Sequence, residues 1–158
     1  MKLIRSSKTK LFFHLGQREK RLLEQVLKLY PCVPSAHHAL SKSSRLPDRE
    51  ENQRLLDEAL AEQRAENHRL LRTLLADPGR FEQTETGCRL WLARSEVEWV
   101  LQVLNDVRIG SWVILGSPEG KLEELDTKAA PHFWAMEMAG YFQMQLLEAL
   151  EGEPGSVR

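Results

Sequence analysis

Two cysteines in 158 residues, Cys32 and Cys88, are too few for a disulfide framework, and no Cys-x-x-Cys spacing offers a metal site. Free thiols in a reducing compartment are the reading that follows. Long apolar runs are missing too. No stretch approaches the ~18 residues of a membrane span, and Leu11 to Leu15 is too short and interrupted for a signal-peptide core. A charge surplus is absent: 22 Lys and Arg stand against 23 Asp and Glu, so there is no general pull toward nucleic acid or acidic membranes. Nucleophile-elbow, Walker and dinucleotide glycine motifs do not occur. Nor does Glu-x-x-His, which a di-metal helical bundle needs on two helices. His132 and Glu137 are five apart and share no helix face, and His37 and His38 sit in a proline-rich stretch. These absences set the expectation of a cytoplasmic protein that is not an enzyme, with no catalytic, cofactor or metal residues.

What is present reads as one domain over residues 1–150, followed by a frayed tail, 151–158. A chain of this length buries roughly 70% of its unfolded surface. Residues 1–15 read as a strand or hairpin around a polar RSSKTK turn. Leu22, Leu23, Val26, Leu27 and Tyr30 follow helical spacing from Gln17 until Pro31 stops the helix. Residues 31–47, with three prolines and four serines, read as a long loop. A second helix opens at Asp48, where Asp48 and Glu51 resemble a capping box, and ends at Asp77-Pro78-Gly79. Its inward stripe is Leu56, Leu60, Gln63, Asn67, Leu70 and Leu74. The polar middle implies either solvent or a polar interior, and solvent is the preferred reading. A second hairpin spans 80–93. Ser95 and Glu98 then read as a full capping box for a third helix reaching Leu115. The fourth helix covers about 128–150, with Pro131 in its first turn. The expected fold is mainly α: four-helix bundle-like, with a small β element from residues 1–15 and 80–93.

An internal repeat is visible at an offset of 77. Leu15-Gly-Gln-Arg-Glu19 falls on Leu92-Ala-Arg-Ser-Glu96, and Gln25, Val26 and Leu27 fall on Gln102, Val103 and Leu104. A pseudo-twofold arrangement is one explanation. Chance likeness between amphipathic helices is the other.

The candidate site is a polar network in the third helix, Asn105, Asp106 and Arg108, with Glu137 from the fourth. Asn105 and Asp106 continue a partly polar face, available to a partner or a loop. Arg108 lies on the line Val97, Leu101, Leu104, Trp112, Leu115, where it must snorkel or meet an acid. Glu137 is the first candidate for that acid. The alternative has Glu137 facing water with Tyr141, Gln145 and Glu148. Gly110 and Gly140 imply a tight helix crossing. The paired acids Glu96/Glu98 and Glu123/Glu124 read as solvated.

Helix four carries Phe133, Trp134, Met136, Met138, Tyr141, Phe142 and Met144 around more than one face, so a homodimer through residues 128–150 is expected. Residues 1–30 hold eight bases against two acids, with Phe12, Phe13 and Tyr30 interleaved. That makes a nucleic-acid-binding regulator the alternative function.

Leu104-Asn105-Asp106-Val107-Arg108, after a capped helix start and Trp99, resembles the signature of an uncharacterised bacterial family of unknown function. Its members are often encoded beside the Clp protease adaptor for N-end-rule substrates. The resemblance takes in FFHLGQREKRLLEQVL (12–27), and Arg45-Leu46-Pro47-Asp48 is similar to the family's Arg-Leu-Phe-Pro-Asp segment without its phenylalanine. GSW and AMEMAGYFQM look like a sub-branch of the same family. Some relatives are labelled transcriptional regulators, a label that no motif here supports. The resemblance implies a non-catalytic cytoplasmic protein, an accessory to regulated proteolysis.

Overall fold

A computed structural model describes residues 1–34, 48–116 and 127–152. The expected loop at 35–47, most of the loop at 116–127, and the tail from 153 lie outside the described residues. In chain order the elements are β1 (Lys2–Ser6), β2 (Lys10–Leu15), α1 (Gln17–Lys28), α2 (Arg49–Ala76), β3 (Phe81–Thr84), β4 (Gly87–Ala93), α3 (Arg94–Ile114) and α4 (Ala130–Glu151). The protein is mostly helical, with one four-stranded antiparallel sheet ordered β1-β2-β4-β3.

Strand alternation sorts the sheet into two faces. Leu11, Phe13 and Leu15 of β2 pair with Leu92, Leu90 and Cys88 of β4, and all six are buried against the helices. Lys10, Phe12 and His14 pair with Ala93, Trp91 and Arg89 on the opposite, outer face. Helices α3 and α4 pack closely along each other, and α1 lies against both. Leu23, Val26 and Leu27 of α1, Val100, Val103 and Val107 of α3, and Phe142 and Leu146 of α4 close the core.

The strand register carries the internal repeat. Phe13 pairs with Leu90, and those positions differ by 77. A twofold axis passing between them maps each onto the other. The same offset carries Arg5↔Phe12 onto Glu82↔Arg89, and Ser6↔Leu11 onto Gln83↔Cys88. A bulge between Leu3 and Arg5 breaks the correspondence by one residue beyond that point. The helical layer departs further. The α3–α4 pair packs along its length, whereas the buried residues of α2 are only Asn67, Leu71 and Leu74. So α2 joins the core through its C-terminal third, and Leu55 near its start is half-exposed. The mainly helical fold with a small β element is as expected, while a bundle-like arrangement of all four helices is not established.

Both expected capping boxes are corrected. Asp48 adopts a left-handed conformation (φ 58°), tolerable for aspartate, and its side chain caps nothing. Glu51 pairs with Arg54 instead. At α3 the helix begins one residue before Ser95. Glu96, not Glu98, accepts the Ala93 amide at 2.8 Å. Strand β4 runs straight into the helix, so the first free amide to be capped lies further upstream than the Ser-x-x-Glu spacing indicated.

Candidate functional site

Arg108 is half-buried at the margin of the α3 face that packs inward. That face is centred on Val100, Val103, Val107 and Ser111. Its stem passes over Gly140 of α4, whose Cα would place a Cβ 3.6 Å from Arg108 Cδ. Its Nη2 donates to Asn105 Oδ1 one turn earlier, at 3.0 Å. Arg108 Nε is buried with no partner, and Arg108 forms no ion pair among the described residues. The expected Arg108–Glu137 pair is therefore not formed. Glu137 is exposed, as are Tyr141 and Glu148 on its face. Arg108 snorkels because it sits at the edge of the buried stripe, where the stem covers apolar surface and the head reaches outward.

Asp106 holds a strap. Its Oδ1 accepts the backbone amides of Cys32, at 2.5 Å, and Val33, at 3.3 Å. The strap follows a cis Tyr30–Pro31 bond and is also held by Arg64, whose Nη2 donates to the Val33 carbonyl at 2.9 Å. Gly110 is required here. A Cβ on it would lie 2.5 Å from the Cys32 carbonyl carbon and 2.7 Å from the Val33 nitrogen. The close approach at Gly110 is thus between α3 and the strap, not between α3 and Gly140 of α4 as expected.

Polar residues of α2 complete this cluster. Asn67 is 3% exposed and donates to Gln102 Oε1 at 3.4 Å, while Gln63 donates to both Asn67 and Gln102. Asn67 also hydrogen-bonds the Tyr30 phenol, which burial pushes above its ordinary pKa. The polar middle of α2 therefore meets a polar interior at Asn67, contrary to the solvated expectation, while Gln63 stays exposed. Cys32 lies against Asp106. Burial, and then the Asp106 charge, push its thiol up to about 11. A thiol so raised is a poor nucleophile. The arrangement joins three helices and offers no acid–base pair to a substrate.

A buried arginine–acid pair does exist, at a place the sequence reading passed over. Arg80, 8% exposed, pairs through both terminal nitrogens with Glu96, and through Nε with Asp77 at 3.3 Å. Its guanidinium stacks 3.8 Å from the centre of the Trp91 ring. The solvated setting expected for Glu96 is not what it has. The overlooked signal was the repeat, which superposes Glu96 on Glu19. Each occupies the first turn of a helix that follows a hairpin, and Glu19 likewise binds a cation, the Met1 amino group.

An open groove of about 1070 Å³ lies between α3 and α4. Ile109, Trp112, Met136, Met144 and Leu147 line it, with Arg108 at one wall. Glu137, Glu148 and Glu151 stand along the α4 side. A small, partly open void of about 20 Å³ is lined by Met1 and by Leu, Val and Phe side chains. Among the described residues, no cluster of three or more His, Cys, Asp or Glu side chains could hold a metal. No described helix is long and apolar enough to cross a membrane.

A family model matches residues 31–150, about three quarters of the chain. The chain belongs to the family described as Domain of unknown function (DUF2017). No curated protein and no solved structure matches it. The DUF2017 match contains the Asp106 strap, the Arg80–Glu96 pair and the α3–α4 groove except Glu151. It leaves out β1, β2 and α1, which supply half of the sheet.

Proposed function

We propose that this DUF2017 protein acts by binding other proteins, without chemistry of its own, and that the α3–α4 groove is its contact surface. One observation carries the reading. Tyr141, Met144 and Leu147 of α4 are 36%, 58% and 47% exposed, on a helix whose other side fills the core. Contiguous exposed apolar side chains mark interaction surfaces, and Met and aromatic residues are favoured there.

The charge of the rim selects the occupant. Glu137, Glu148 and Glu151 outnumber Arg108, so the groove suits a basic amphipathic helix, apolar face inward and cations toward the glutamates. From Met136 to Glu151 the wall extends about 22 Å at 1.5 Å per residue, the length of about four helical turns. A second copy docked through α4, the expected homodimer, is the alternative occupant. That seam would bring the glutamates of two copies together. A regulatory role, accessory to regulated proteolysis in the cytoplasm, is part of the proposal and rests on the sequence resemblance.

The test is affinity capture with the native chain and with a Met144→Glu/Leu147→Glu variant of equal stability. A partner held by the first and lost from the second supports the proposal, provided that its basic amphipathic segment binds as a synthetic peptide. Equal recovery by both proteins overturns it. A dimer mass abolished by the double variant would assign the groove to a second copy instead.

A further inference from the structure

The outer face of the sheet is where the remaining unexplained chemistry collects. Phe12 and Trp91 are direct cross-strand partners at its centre, both partly exposed. Lys2 and Arg5 of β1 pair with His14 and Phe12, Lys10 precedes them on β2, and Arg89 lies opposite His14 on β4. Arg5 stacks 4.7 Å from the Phe12 ring centre and Lys10 3.9 Å from that of Trp91. Among the described residues, the acids near this face are all paired with arginine: Glu82 with Arg89, and Asp77 and Glu96 with the Arg80 that stacks on Trp91. Lys2, Arg5 and Lys10 meet no carboxylate among the described residues. In a chain of net charge −1 this is a local concentration of uncompensated positive charge around two aromatic rings.

We propose that this face binds single-stranded nucleic acid, with bases stacking on Phe12 and Trp91 and phosphates meeting Lys2, Arg5 and Lys10. Aromatic rings on adjacent strands offer stacking platforms to unpaired bases, and flanking cations track the backbone. The two rings differ in what must move. Arg80 is fixed behind Trp91 by Glu96 and Asp77, so it stays and extends the platform. Among the described residues, Lys10 and Arg5 are held through the rings they cover, and an arriving base exchanges each from ring to phosphate. The exposed Arg89–Glu82 pair is of the kind that contributes little to stability, so Arg89 is available for a fourth phosphate. The grouping differs from the basic N-terminal patch read from the sequence. Phe13 and Tyr30 are buried in the core, and β4 supplies the second ring.

The proposal is independent of the groove, which lies between α3 and α4. It is tested by fluorescence anisotropy with labelled oligouridylate and oligothymidylate of about ten nucleotides. Tryptophan emission is followed in parallel, since stacking on Trp91 quenches it. Three phosphate contacts predict a slope of about −2 for log affinity against log salt, about −3 if Arg89 adds a fourth, and Arg5→Ser should reduce it by about 0.7. Phe12→Leu keeps an apolar side chain but no ring, and should weaken binding about five-fold or more. Urea midpoints establish that each variant is folded. Should Phe12→Leu fail that control, Arg5→Ser/Lys10→Ser replaces it, with the salt slope as readout. Preference for the uridylate or the thymidylate decides between RNA and DNA. Absence of binding at low salt overturns the proposal. So does affinity indifferent to these variants, or equal affinity for a duplex of the same length.

Discussion

Arg80 and Glu96 are joined end to end beneath Trp91, and this pair ties the α2–β3 turn to the first turn of α3. Burial raises the Glu96 pKa, but the hydrogen bonds from Arg80 and the Ala93 amide, with the Arg80 charge, outweigh it and hold the carboxyl below its ordinary value. Arg80→Ala strands this carboxylate. The expected loss is about 2–3 kcal/mol, toward the lower end for a buried pair because the Glu96 side chain remains 21% exposed. Arg80→Met, which keeps the stem over Trp91, should cost less. Urea unfolding of the two variants measures the difference.

The same pair sets an acid limit. A depressed folded pKa means that the stabilisation is complete above the ordinary glutamate value of 4.5 and is lost as pH falls through the lower folded value. Stability measured from neutral pH down to about pH 3 should therefore fall less steeply in Glu96→Gln than in the native chain. Parallel curves would refute this assignment.

Periodicity made the helices legible because each reports its own face locally. The helices at 17–30, 48–76, 95–115 and 128–150 and the hairpin at 80–93 follow from it and from turn residues, while residues 1–15 stayed open between one strand and a hairpin; the Phe13↔Leu90 register is what fits the offset of 77 to the strands. Partner choice was not legible. Whether Arg108 is central or marginal on α3 depends on how that helix is rotated against α4, and a rotation of one position turns a buried cation into a snorkelling one. Asp77, three residues before Arg80, was a local sign of an ion pair, but the main partner, Glu96, is sixteen residues away across the β3–β4 hairpin. Asp106 was readable as able to hold a loop, but the loop could not be named. Cys32 and Val33 have no side-chain feature that marks their amides as donors.

The strap yields a chemical prediction. Asp106→Asn removes the second cause of the raised Cys32 pKa while keeping an acceptor for the two amides. Alkylation of Cys32 should then accelerate at a lower pH than in the native chain, where burial and the Asp106 charge push the thiol up to about 11. Cys88, fully buried in the sheet, serves as the internal control. The sign for stability is opposite to that of Glu96. The Cys32 contribution is complete below the ordinary thiol value of 9.0 and is lost as pH rises through about 11. Alkylation profiles that coincide in the two proteins would exclude Asp106 as a cause.

Two mid-helix glycines separate packing from propensity. Gly110→Ala drives a methyl group into the backbone of Cys32 and Val33, and neither can yield while Asp106 and Arg64 hold the strap. Overpacking of this kind costs about 1–3 kcal/mol, with backbone rather than a flexible side chain in the way. Gly140→Ala meets only Arg108 Cδ, at an ordinary contact distance of 3.6 Å. There the better helix propensity of alanine should prevail, giving a gain of about 0.5–1 kcal/mol. Paired urea titrations decide the matter. Loss at 110 with gain at 140 follows if the strap, and not a glycine-to-glycine helix crossing, is what α3 makes room for. Equal losses would restore the crossing and move the strap away from Gly110.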